Sequence, residues 1–197
     1  VEENSYFETV HNFGDVYLLE NKAHLPLGFL AESALADWDL NKGTYSFQRQ
    51  EELFRLATGI EEPLWHMSPN GCLEISSEDV ELTTVSPETG VAHYKTTDKG
   101  TVTFGYTMTK PGLLCVELKT SKKSNFRVYT SRAGAETMLY NEEVVMPQMF
   151  SVAEVKPGDL VWLEIDCDKD QIGSINVQAG ILDSQVFWKG YEVLSAS

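Results

Sequence analysis

From Thr101 onward, apolar side chains recur at every second position in short runs broken by turn residues. Val102, Phe104 and Tyr106 alternate with Thr101, Thr103 and Gly105. The turn Lys110-Pro111-Gly112 then leads to Leu114, Val116 and Leu118. Val161, Leu163, Ile165 and Cys167 alternate with Trp162, Glu164 and Asp166, and Ile175, Val177, Ala179 and Ile181 repeat the period. A period of two sends alternate side chains to opposite faces of a pleated strand, so each run predicts a strand with one face in a core. Further strands are expected at 126–130, 137–140, 150–155 and 186–193, with 73–75, 80–85 and 91–95 upstream. So many strands with no long helical pattern between them predict a mainly β fold, an antiparallel two-sheet β-sandwich of the jelly-roll kind, over residues 71–197.

Residues 1–70 read as a strand–helix segment packed on that sandwich. Residues 16–19 and 25–30 are expected to be extended, the second broken by Pro26, with a turn at Gly28. Residues 47–58 predict a helix in which Phe47, Leu53, Phe54 and Ala57 share a stripe. Ser46 can cap its start, and Gly59 suits the position just after its end.

Charge narrows the partners. Against 30 Asp and Glu the 197-residue chain has 15 Lys and Arg, a net charge of −15. That excess repels phosphate backbones and anionic lipid surfaces, so neither nucleic acid nor a membrane surface is an expected partner. Hydrophobic residues at 42% supply a core. Cys72, Cys115 and Cys167 have no metal-ligand spacing, and Cys115 and Cys167 are expected to serve as small core residues. No apolar run approaches the roughly 20 residues that span a bilayer. The first residue is Val1, which reads as the start of a piece of a longer chain.

Few residues suggest chemistry. Asp166, Asp168 and Asp170 alternate like the opening of a calcium loop, but Gln171 stands where glycine belongs and Val177 where glutamate belongs. The favoured expectation is a solvated hairpin tip and no cofactor, with Ca2+ as the alternative. Glu117, Glu164, Asp37 and Asp39 are candidate acids for a glycosidase pair, each expected on an exposed strand or loop. His11, His24, His66 and His93 are scattered, and neither a nucleophile elbow nor a phosphate loop occurs. No catalytic residue is assigned. Flat aromatic side chains stack on sugar rings, so Trp38, Trp65 and Trp162 are the candidate carbohydrate contacts. For Trp38 and Trp65 the favoured expectation is a plug at an end of the sandwich. Trp162 shares its face with Glu164 and Asp166, and Trp188 is expected on a strand.

Two segments resemble a known family. Residues 16–29, VYLLENKAHLPLGF, are similar to the "YENKxALPLGF" segment of YfhO-like bacterial membrane proteins. Residues 46–59, SFQRQEELFRLATG, echo that family's "PFExQNxLLKxLTG". The likeness extends more softly to a glycine-initiated hairpin near Gly112, to the strand 158–165 and to the closing segment 182–194. These are multi-pass proteins similar to polytopic glycosyltransferases that decorate cell-surface polymers such as lipoteichoic acid in Gram-positive bacteria. The resemblance implies a non-catalytic extracytoplasmic domain, partnered by the transmembrane portion of its parent, with a cell-surface glycan or teichoic polymer as a further candidate partner. It would scaffold the membrane portion or position an acceptor. The rival is a free-standing carbohydrate-binding module of a secreted protein.

Overall fold

The computed structural model describes residues 6–25, 30–39, 45–67, 74–132, 135–144 and 147–196. The turn expected at Pro26 and Gly28, together with Cys72 and Leu73, lies outside them. The chain divides into two compact units, Val1–Thr44 with Gln48–Leu64 and Asp183–Ser197, and Tyr45–Phe47 with Trp65–Leu182.

In the first unit, β1 (Phe7–Asn12) pairs antiparallel with β2 (Tyr17–Asn21). A 3-10 helix (Ser33–Asp37) follows, and then the helix α1 (Ser46–Thr58), whose first two residues, Ser46 and Phe47, belong to the second unit. The expected stop of α1 holds, because Gly59 takes φ +70° and donates its N–H to the carbonyl of Arg55 at 2.9 Å. Residues 186–193, expected as a strand, instead lie in a second helix, Ser184–Ser195. The physical reason is legible afterwards. Val186, Phe187, Gly190, Tyr191 and Leu194 recur at helical spacing, and Asp183 accepts N–H bonds from Gln185 and Val186, both at 3.0 Å, as an N-cap. Trp188 therefore sits on a helix, stacked on Tyr6 at 6.0 Å and edge-on to Tyr191 at 5.3 Å.

The second unit is the sandwich. Its strands are β3 (Trp65–Met67), β4 (Glu74–Glu78), β5 (Glu81–Ser86), β6 (Val91–Lys95), β7 (Gly100–Thr107), β8 (Gly112–Thr120), β9 (Ser124–Arg132), β10 (Ala135–Val144), β11 (Gln148–Val155), β12 (Leu160–Cys167) and β13 (Ile172–Leu182). The closing helix of the first unit is numbered α2. One sheet has the order β10, β9, β12, β7, β4. The other runs β11, β8, β13, β6, β5, with β3 also paired to β13. All these pairings are antiparallel. The core lies between the sheets, where Phe104, Phe126, Leu163 and Ile165 of one sheet meet Leu114, Leu118, Ile175 and Val177 of the other.

The alternation gives the sandwich strands from β4 to β13 at their expected places and misses β1 and β3, and the connections differ from the expected hairpins. The chain passes from one sheet to the other at every connection from β3 to β13 except β5 to β6 and β9 to β10. The turns near Gly112 and at residues 168–171 are thus arches that span the core, as a jelly-roll path requires. Thr96 fastens the second arch: its Oγ1 donates to the carbonyl of Asp168 at 2.6 Å and accepts from the N–H of Gln171 at 2.9 Å.

Glu117, expected to be exposed, is 3% exposed and anchors the start of α1. Its carboxylate accepts from the N–H and Oγ of Ser46, at 2.7 and 3.1 Å, and pairs with Lys119 at 3.0 Å. Ser46 is the first residue of α1 and donates to a strand carboxylate in place of capping its own helix. An anion at a helix N-terminus also suits the helix dipole.

Candidate functional site

The alternation along β12 buries Val161, Leu163, Ile165 and Cys167 and turns Trp162, Glu164 and Asp166 to the outer face of the five-stranded sheet. β12 is the central strand, so this face is framed from both sides. In register with Trp162 lie Tyr129 of β9 and Gly105 of β7. A Cβ built on Gly105 would meet indole Cδ1 at 3.5 Å and Nε1 at 3.6 Å, so the five-membered ring of the indole overlies this glycine. At these distances even a Cβ would be in ordinary van der Waals contact with the ring, so the indole lies directly over the β7 backbone. Trp162 and Tyr129 are both half-buried, each with one part on the sheet and one toward solvent.

One step along the ladder, Arg127 of β9 stands opposite Glu164. Its Nη1 and Nη2 donate to the two carboxylate oxygens of Asp166 at 2.8 and 2.7 Å, and its Nε donates to Glu164 at 3.2 Å. This bidentate geometry is the strong form of the arginine–carboxylate pair. The Asp166 bond, followed by the charge of both acids, holds the guanidinium protonated beyond its ordinary range. The three side chains are 25%, 35% and 37% exposed, so the cluster is ordered yet reachable.

Past Asp166 the face opens into a polar cleft of about 430 Å3, lined among others by Glu78, Asp79, Lys99, Asn125 and Asp168. Lys99 pairs with Asp168 at 3.7 Å, and Lys123 with Glu143 at 2.8 Å. An aromatic strip, a rigid fork of hydrogen-bonding groups and a polar trough thus follow one another along β12.

The other candidates fall elsewhere. Trp65, on β3 at the other sheet, is half-buried and packs edge-on against Phe47 at 5.0 Å, as a plug does. Trp38 belongs to the first unit, half-buried just after the 3-10 helix. The three tryptophans do not form one platform, since Trp65 and Trp162 lie on different sheets. The three candidate calcium ligands have the following surroundings. Asp166 is held by Arg127 and Asp168 by Lys99, while Asp170 takes a left-handed backbone, φ 56°, in the arch. Among the described residues no group of three or more His, Cys, Asp or Glu is placed to hold a metal ion. Glu117 and Glu164 lie on different sheets and outside the core between them, too far apart for a glycosidase pair, because packed sheets alone stand about 10 Å apart.

Arg127, Tyr129 and Gly105 escaped the sequence reading. Alternation within β9 and β7 marks them as outward, but nothing in a single sequence says that those strands flank β12.

No protein-family model matches the chain, and no curated protein matches it. Among solved structures, a family 32 carbohydrate-binding module from C. perfringens NanJ, in complex with galactose, is 9% identical with a TM-score of 0.42, covering 59% of this chain and 98% of its own. A family 61 module in complex with beta-1,4-galactotriose is 9% identical with a TM-score of 0.37, over 58% and 90%. A family 29 module is 11% identical with a TM-score of 0.37, over 60% and 86%.

Proposed function

We propose that this chain is a carbohydrate-binding β-sandwich whose glycan platform is the outer face of the five-stranded sheet around Trp162. The supporting observation is the seating of the indole over Gly105 on the central strand, next to Tyr129 and the Arg127, Glu164 and Asp166 cluster. Saccharides present apolar C–H faces edged by hydroxyls, and an aromatic ring fixed on a sheet beside a rigid set of donors and acceptors matches both. Pre-organisation matters here, because a side chain already held by the sheet loses little rotamer freedom on binding. Binding to a panel of immobilised glycans tests this. W162A is expected to weaken retention about ten-fold or more while the protein remains folded, with a melting temperature lowered by only a few degrees. Retention unaffected in both W162A and Y129A would overturn the reading.

The segments at residues 16–29 and 46–59 favour a setting for this module. In it, the chain belongs to the extracytoplasmic part of a YfhO-like bacterial multi-pass membrane protein, where it scaffolds the membrane portion or presents a cell-surface glycan to it. Among the described residues no helix is long and apolar enough to cross a membrane. The complete reading frame is expected to contain several apolar spans of roughly 20 residues, and a frame without them would remove this setting.

A further inference from the structure

We infer that the platform takes an uncharged oligosaccharide laid along β12 from Trp162 into the cleft, and rejects acidic glycans. This rests on the carbohydrate-binding reading and names the ligand class of the same site.

Recognition of a uronate, sialate or phosphate-linked sugar needs a cation whose charge is not already compensated. The described cations of the fork and the cleft lining, Arg127, Lys99 and Lys123, are each paired with a carboxylate. Arg127 commits Nε to Glu164 and both terminal nitrogens to Asp166. Lys99 faces Asp168 and Lys123 faces Glu143. At the cleft wall Glu78 and Asp79 have no ion-pair partner among the described residues. An incoming anion would therefore meet cations whose charge is already compensated, and the surplus negative charge of Glu78 and Asp79. A neutral hydroxyl has no such penalty, and the carboxylate oxygens beside Arg127 remain acceptors for it.

Length follows from the ladder. Trp162 and Asp166 are four residues apart on one strand, roughly 13 Å at the usual rise. The cleft continues the path beyond Asp166. A single sugar on the indole reaches only the start of this path, whereas a chain of several engages the fork and the cleft together.

Calorimetric titration of the intact chain provides the test, with gluco-, manno- and galacto-oligosaccharides of increasing length set against oligogalacturonides of matched length. Affinity is expected to rise about ten-fold or more from monosaccharide to longer oligomers of at least one neutral series. Acidic oligomers are expected to bind about ten-fold more weakly at low salt, with the gap narrowing at high salt as repulsion is screened. The double substitution E78K with D79K is expected to narrow it as well. Acidic oligomers binding as tightly as neutral ones and losing affinity in W162A, or a monosaccharide binding as tightly as long oligomers, would overturn the inference while leaving the carbohydrate reading intact. If no glycan of either kind binds, the carbohydrate reading itself fails.

Discussion

Arg127 shows how one side chain organises a surface. Its fork neutralises two carboxylates that alternate on β12 and otherwise repel each other on one face of the strand. All three groups are partly solvated, so R127A is expected to lower unfolding free energy by only about 1 kcal/mol, with a larger loss at low salt. Paired chemical denaturation at two ionic strengths measures that difference. The effect on glycan retention is expected to be greater, because the substitution frees Glu164 and Asp166 to move. Burial leaves a second signature at single residues. It pushes the thiols of Cys115 and Cys167 up to about 11. In native protein at mildly alkaline pH both are expected to resist alkylation, while unfolded protein labels at both, as peptide mass mapping would show.

Among the elements, both helices depend on carboxylates at their starts, and the two differ in where the carboxylate comes from. Asp183 precedes α2 directly and caps it, so D183A is expected to cost about 1 kcal/mol. Glu117 reaches Ser46 from a strand 71 positions away in sequence. E117A strips a buried helix start and Lys119 of their shared acceptor, and a loss of about 3 kcal/mol is expected, against about 1 kcal/mol for E117Q. Urea unfolding of the three variants checks the order. Gly90 marks another fixed point. It has φ +62°, and a Cβ there would stand 1.9 Å from the carbonyl oxygen of Val177. G90A must move β13 or the turn before β6, at an expected cost of about 2–3 kcal/mol in the same measurement.

For the protein taken together, alkaline pH is the informative variable. The two buried thiols have their native values raised above the ordinary value of 9.0. The unfolded chain therefore releases these protons first. Their contribution is fully present below about pH 9 and is lost as pH rises toward and past 11, so melting temperature is expected to fall across that window. Substituting both cysteines with alanine should flatten the fall. Charge sets the other global property. At −15 the chain repels copies of itself at low salt, yet β1 and β2 leave Val10, Phe13, Val16 and Leu18 more than half exposed. Self-association is thus expected to increase with salt and to be suppressed by F13S with V16S, as sedimentation velocity would report.

The sandwich was legible in the linear chain because a period of two is a local property of the backbone: the residues that point inward along β7, β8, β12 and β13 are the ones the alternation names. The end of α1 at Gly59 was legible for the same local reason. The segment 186–193, rich in Val, Phe, Trp and Tyr, suits a strand by composition, whereas its i, i+4 apolar spacing and the cap at Asp183 make it helical. The platform was half legible, since Trp162, Glu164 and Asp166 alternate outward on one strand. Their partners Gly105, Arg127 and Tyr129, the burial of Glu117 and the arches in place of hairpins all depend on which strands become neighbours. That pairing is settled by closing two sheets over a common core, an interaction between distant residues that no local period encodes.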